Sequence, residues 1–126
     1  MPVAAPIYVV EDDNDVRETL CEVLRDEGYE SAAFAEGPDA LAALAHAEVL
    51  PKLVLLDLMM PAMDGWRFRR EQRQSDRLRD VPTVILSADG NIAENSASLH
   101  AHGYLRKPIH IDTLLQVVER FCGRPA

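Results

Sequence analysis

The stretch Leu53-Val54-Leu55-Leu56-Asp57-Leu58-Met59-Met60-Pro61-Ala62-Met63-Asp64-Gly65 decides how the rest of the chain is read. Four aliphatic residues in succession predict a short strand buried on both faces, as in a parallel sheet. The run ends on a carboxylate, then gives way to Pro61 and an Asp-Gly pair that mark a loop. An acid at the carboxyl end of a buried strand costs several kcal/mol unless something compensates it. Open α/β sheets bind their ligands at that edge. Taken alone, Asp57 either caps the following loop or belongs to a site, and the neighbouring elements must decide.

Working outward, Pro51 precedes this strand, and Gly37-Pro38-Asp39 opens a helix with proline in its first turn, rich in Ala and Leu through Ala47. Tyr29 to Phe34 predicts a strand, weakened by Ala32 and Ala33. Ile7-Tyr8-Val9-Val10 predicts the first strand and runs directly into Glu11-Asp12-Asp13. Val16, Leu20, Val23 and Leu24 have the spacing of a helix with one buried stripe. Asp13 or Asn14 can cap its start, and Gly28 can supply a left-handed stop. On the other side, Gly65 opens a third helix to about Gln74, anchored by Trp66 and Phe68, with Arg69 and Gln72 interrupting its stripe. Thr83-Val84-Ile85-Leu86 is another buried strand, ending on Ser87. Asp89-Gly90-Asn91 turns into a helix from Ile92 to about His100, in which Ile92 and Leu99 are the main large apolar residues. Gly103-Tyr104-Leu105 is a minimal fifth strand before Arg106-Lys107-Pro108. The last helix, Ile111 to Phe121, offers Leu114, Leu115, Val118 and Phe121 for packing. Strand and helix alternate five times, which predicts a doubly wound α/β fold: a parallel sheet with helices on both faces. Residues 1–126 read as one domain with its core at about 5–122.

Composition narrows the function classes. No apolar run approaches the roughly 20 residues of a bilayer span, and the N-terminus lacks a secretory leader, so a cytoplasmic protein without membrane contact is expected. Cys21 and Cys122 lack metal-ligand spacing and read as reduced thiols. His46, His100, His102 and His110 likewise lack ligand spacing and read as surface residues. The net charge of −8 argues against direct nucleic-acid binding. That charge is uneven: residues 1–64 hold 14 acids and 3 bases, whereas residues 65–126 hold 7 acids and 10 bases. Arg67, Arg69, Arg70, Arg73, Arg77 and Arg79 supply much of the second excess and read first as a solvated helix face, second as a docking surface for an acidic partner.

The residues after the strands carry the chemistry. Glu11 and Asp12 follow the first strand, Asp57 ends the third, Ser87 the fourth, and Lys107 follows the fifth. In a parallel sheet these ends share one edge, so residues far apart in sequence converge. Three carboxylates in a partly desolvated cleft repel one another, and a hard divalent cation relieves them; Mg²⁺ suits few protein ligands, several waters and a phosphate. An ammonium and a hydroxyl beside a carboxylate can stabilise the oxygens of an incoming phosphoryl group, and the carboxylate can then act as its nucleophile.

The pattern Val9-Val10-Glu11-Asp12-Asp13, Asp57 through Gly65, Leu86-Ser87-Ala88 and Tyr104-Leu105-Arg106-Lys107-Pro108 resembles the receiver domain of two-component response regulators, over essentially the whole chain. The resemblance implies a CheY-like, flavodoxin-like (βα)5 fold with strand order 2-1-3-4-5. It implies Asp57 as phosphoacceptor, taking phosphate from a phosphohistidine on a histidine kinase or histidine phosphotransfer protein. Mg²⁺, with Mn²⁺ as a substitute, would be held by Glu11, Asp12, Asp57 and the backbone carbonyl of Met59. Lys107 would bind the phosphoryl oxygens. Ser87 would move to the phosphate, and Tyr104 would turn inward as the aromatic switch residue. The surface of the fourth helix, fifth strand and fifth helix would then control a downstream protein effector, with phosphorylation-dependent homodimerisation left open. Such a domain is a switch rather than a turnover enzyme, although it can catalyse its own phosphorylation and dephosphorylation. Glu11 departs from the commoner Asp, and His100 stands where the family often has Gly. Met1 and the short tail favour a free-standing regulator over a receiver fragment of a larger one. A phosphatase of the haloacid-dehalogenase type is the rival reading; it would need a second acid two residues after Asp57, where Met59 stands. A flavodoxin-like nucleotide or flavin module would need a Gly- or Ser/Thr-rich loop where Glu11-Asp12-Asp13 stands.

Overall fold

In the computed structural model of the protein, residues 5–60 and 63–125 are described. The expectations for Pro61 and Met1 therefore lie outside the described residues. Ten elements alternate: β1 (Ile7–Val10), α1 (Asn14–Asp26), β2 (Ser31–Phe34), α2 (Gly37–His46), β3 (Leu53–Asp57), α3 (Gly65–Gln74), β4 (Thr83–Ser87), α4 (Ile92–Ser98), β5 (Gly103–Arg106) and α5 (Ile111–Cys122). The strands form one parallel sheet in the order β2-β1-β3-β4-β5. Every residue of β1, β3 and β4 is buried, as a strand covered on both faces requires.

Successive side chains of a strand point to opposite faces, and the two halves of the core follow that period of two. Tyr8, Val10, Val54, Leu56 and Ile85 pack with Ala40 and Leu44 of α2 and Phe68 of α3. Ile7, Val9, Leu53, Leu55, Val84 and Leu86 pack with Leu20 and Leu24 of α1 and Leu114 and Val118 of α5. Asp13 caps α1, its carboxylate accepting from the Asp15 and Val16 amides. Gly28, at φ 89°, supplies the left-handed stop.

Several local expectations need correction. The second strand begins at Ser31, not Tyr29. The Tyr29 amide instead closes the end of α1 by donating to Leu24 O (2.9 Å), while its buried ring sends the hydroxyl to Gly123 O at 2.7 Å. On α3, Trp66 is 39% exposed rather than a packing anchor. It precedes Phe68 by two residues, roughly 200° around the helix, so the two cannot share a face. The positions facing inward with Phe68 are Arg69 and Gln72, both buried. The arginine run is therefore not uniformly a solvated face. Arg69 Nε donates to Leu99 O (3.1 Å) and one Nη to His100 O (2.6 Å), with His100 in the left-handed region at φ 53°. Arg77 donates to Leu44 O (2.8 Å), Ala45 O and Ala47 O, the carbonyls that end α2. All four histidines are exposed, although His102 Nδ1 accepts from the Thr83 amide at 3.0 Å.

Gln72 is a buried polar junction. Its amide nitrogen donates to Val81 O (3.0 Å) and Leu78 O (3.3 Å), and its Oε1 accepts from the Thr83 hydroxyl (3.0 Å). Gln72→Leu fills the space but removes these three bonds, leaving Leu78 O with only the Val81 amide and Val81 O with only the Thr83 hydroxyl. A loss of about 1–3 kcal/mol is expected in urea unfolding, the net worth of the lost bonds less the gain from an apolar side chain. An unchanged midpoint would show that the Leu78–Val81 turn needs no tie to α3.

Candidate functional site

The site grows from the carboxyl edge of the sheet. Asp57 ends β3, in register with Leu86 of β4, and Ser87 ends β4 opposite Arg106 of β5. The ladder continues one residue further. The Lys107 amide donates to Ser87 O (2.9 Å) and the Leu58 amide to Leu86 O (3.1 Å), so Lys107 and Asp57 are held by backbone bonds on either side of Ser87. Glu11 follows β1, its amide donating to Phe34 O at 3.0 Å. Arg17 of α1 reaches back to Glu11 O at 2.9 Å, a brace for the acidic loop that sequence reasoning missed. Nothing in the spacing of Arg17 and Glu11 announces that contact.

The structure brings Glu11, Asp12, Asp57 and Lys107 together. Lys107 Nζ lies 2.8 Å from Glu11 Oε2 and 3.5 Å from Asp57 Oδ1. The three carboxylates each present an oxygen within 4.8 Å of the others. Glu11 is fully buried and Asp57 only 3% exposed, whereas Asp12 faces solvent. The Met59 amide donates to Asp57 Oδ1 at 3.1 Å, and the Met59 side chain is exposed.

One ammonium faces three acids, and the imbalance shows in Asp57. Burial, a hydrogen bond shared with the Asp12 carboxyl and the charge of Glu11 push its pKa up to about 7, against the opposing pull of the Met59 amide and Lys107. Burial alone would lower Lys107, but Glu11 and Asp57 outweigh it and hold the ammonium above its usual pKa. The donor set is all oxygen and carries an excess of negative charge, which fits a hard divalent cation. Thiol or imidazole ligands for a softer metal are absent from this cluster.

The other two expected residues lie differently. Ser87 is buried on the same edge, with its hydroxyl oxygen accepting from the Asp89 amide at 3.0 Å. Tyr104 pairs in register with Ile85 but points away, 43% exposed. Gly65 closes the loop after β3: its amide donates to Leu58 O (2.9 Å), and Asp64 caps α3 by accepting from the Arg67 amide (2.9 Å). A Cβ at Gly65 would stand 2.8 Å from Leu58 Cα and 3.1 Å from Asp57 O, so only glycine fits.

Known proteins resemble this chain in sequence and fold. Residues 7–119 match the response regulator receiver domain. Response regulator MprA of Mycobacterium sp. (strain KMS) is 38% identical over 117 residues; the match covers 91% of this chain and 48% of MprA, so the chain spans about half the length of that relative. The chemotaxis protein CheY4 of Vibrio cholerae superposes with a TM-score of 0.82 at 27% identity, over 94% of this chain and 99% of CheY4. The receiver domain of the sensor histidine kinase PA1611 from Pseudomonas aeruginosa PAO1, solved with a magnesium ion in its active site cleft, superposes with a TM-score of 0.84 at 27% identity, over 96% and 99% of the two chains. The family's sequence pattern runs from β1 into α5, and these neighbours repeat the strand order on which the acidic cluster is built. The chain belongs to the response regulator receiver domains of two-component signalling.

Proposed function

We propose that Asp57 is the phosphoacceptor of a Mg²⁺-dependent phosphorelay switch. The observation that carries this reading is a buried aspartate poised near neutrality between two further carboxylates and an ammonium. Glu11, Asp12, Asp57 and the Met59 carbonyl would hold Mg²⁺, which would neutralise charge on the incoming phosphoryl oxygens. An Asp57 oxygen attacks phosphorus; the phosphorus–nitrogen bond of a phosphohistidine breaks, and imidazole leaves with the electron pair. Lys107, already 3.5 Å from Asp57 Oδ1, can shift from the carboxylate to a phosphoryl oxygen. Beside it, a groove of about 260 Å³ lined by Val16, Thr19, Leu20, Pro108 and Ile109 offers an apolar seat to the histidine kinase or histidine phosphotransfer protein.

The response runs through Ser87. Phosphorylation adds about −1.5 to −2 units of charge and three strong acceptors at the sheet edge. The Ser87 hydroxyl turns toward them, and the Tyr104 ring moves into the vacated space. Helix α4 buries only Ile92 and Ser96 of its own residues, so repositioning it costs little. The α4-β5-α5 surface then controls an effector protein or self-association. Residues 1–126 act as one receiver domain in this reading.

The test is incubation with acetyl phosphate and Mg²⁺, beside Asp57→Asn. One acid- and base-labile phosphate per chain is expected on the native protein and none on the variant. Equal labelling of both would place the phosphate elsewhere and end this reading.

A further inference from the structure

A groove between α3 and the end of α4 lies outside the acidic cluster. It is an open depression of about 450 Å³ lined by Trp66, Arg69, Arg70, Arg73, Ser98 and Leu99, with Gln74 at its edge. Trp66, Arg69, Arg70 and Arg73 stand at helical positions i, i+3, i+4 and i+7, which form one stripe. Among the described residues, the ion pairs nearby are Arg67–Glu71 and Arg79–Asp76; no carboxylate pairs with Arg69, Arg70 or Arg73.

Arg69 makes this more than a solvated face. It is 2% exposed, and beyond its bonds to Leu99 O and His100 O its Nη1 is buried without a hydrogen-bond partner among the described residues. A buried guanidinium with donors unused is costly unless an acceptor reaches it. Arg70 and Arg73 are exposed on the same groove and add two unpaired charges. Burial and the charge of Arg73 both lower the Arg69 pKa, the electrostatic sign of a cluster lacking its anion. Guanidinium forks match phosphate oxygens two at a time. At the end of the stripe, the partly exposed Trp66 lines the same space, and an exposed indole can stack on a flat ring.

We propose that this groove binds a small phosphorylated ligand with a planar ring, of the nucleotide class, with its phosphate on the exposed Arg70 and Arg73, the buried charge of Arg69 beneath it, and its ring against Trp66. Because Arg69 also grips the carbonyls that follow α4, an occupied groove would hold that end of α4 in its present position. The ligand site itself is independent of the phosphoacceptor reading and is tested separately from it.

Trp66 is the chain's only tryptophan, so its fluorescence reports the groove directly. The full chain, in EDTA, is titrated with AMP, GMP and ATP, and in parallel with adenosine, pyrophosphate and a tetraglutamate peptide. At least one nucleotide should quench Trp66 saturably. Its half-point should lie at least about tenfold below that of adenosine or the peptide, the equivalent of about 1.4 kcal/mol. Pyrophosphate should compete with it. Arg73→Gln, at an exposed position, should weaken nucleotide binding about tenfold without moving the urea midpoint, and Asp57→Asn should bind as the native chain does. The proposal is overturned by any of four results: no saturable response to any nucleotide, equal binding of adenosine, peptide binding as tight as nucleotide, or an unaffected Arg73→Gln. Tight peptide binding would instead mark the groove as a seat for an acidic protein segment.

Discussion

Asparagine at position 57 is expected to stabilise the metal-free protein at pH 7.5 while abolishing its phosphorylation. The sign follows from linkage. The Asp57 pKa of about 7 in the fold exceeds its ordinary value of 3.8, so between these values the native state binds more protons than the unfolded chain. Stability must then fall as pH rises through that window. Three pH units at about 1.36 kcal/mol each set a ceiling near 4 kcal/mol. Contact of the exposed Asp12 with water reduces this, and the amide forgoes the attraction of Lys107 at 3.5 Å. A net gain of about 1–3 kcal/mol for Asp57→Asn remains at pH 7.5.

Urea unfolding in EDTA from pH 5 to 8 checks this. The native midpoint should drop across the range, and that of Asp57→Asn should drop less, so that the two diverge upward in pH. Millimolar Mg²⁺ should close the gap, because a cation bound only to the native state stabilises it by mass action. The same proton competes with the metal. Apparent Mg²⁺ affinity should fall about tenfold per pH unit below 7 and flatten above it. A native protein equally stable at pH 5 and pH 8 without metal would contradict the electrostatic account of the cluster.

Gly65→Ala should damage both folding and phosphotransfer. The added methyl would meet backbone at 2.8 Å and 3.1 Å, on Leu58 and Asp57, and neither can rotate away as a side chain could. A loss of about 2–3 kcal/mol is the usual scale of overpacking at a site with no slack. The displacement falls on Asp57, the proposed nucleophile. A misplacement of about 1 Å can cost roughly a hundredfold in rate, so acetyl-phosphate labelling should slow by about that factor even where the variant is fully folded. Gly103→Ala is the control, since a Cβ there meets only Val84, at 3.8 Å. Similar losses in both variants would mean that the effect is general to the sheet rather than local to the Asp57 loop.

Much of this was legible in the sequence, for identifiable reasons. Buried parallel strands leave unbroken apolar runs, and their polar ends stand out against them, so Glu11, Asp12, Asp57, Ser87 and Lys107 could be placed on one edge without coordinates. The order β2-β1-β3-β4-β5 came from family resemblance, since alternation alone does not order strands. What escaped notice depends on partners remote in sequence. Arg69, Gln72 and Arg77 look like polar surface because nearly all their partners are main-chain carbonyls at helix and loop ends, and carbonyls carry no letter. The interrupted stripe of α3 was the one available signal: polar residues at positions beside Phe68 must either be wrong for the helix or satisfied within it. Trp66 misled because its bulk outweighed its phase. Tyr29 misled because a strand-forming side chain says nothing about which backbone groups remain free for a ladder.

If Ser87 acts as the proposed switch, the bond from the Asp89 amide to its hydroxyl would also set a background level for the signal. A hydroxyl oxygen occupied by the β4–α4 turn would keep Ser87 in place in the absence of phosphate, and Asp89 Oδ1 secures the same turn by accepting from the Asn91 amide at 2.8 Å. Releasing one such bond costs about 1 kcal/mol, enough to bias the resting population about fivefold. In the proposed switch, leakage of output without input would depend on this turn. A domain that must stay silent between stimuli gains from a firmer turn, and one that must respond to faint stimuli gains from a looser one.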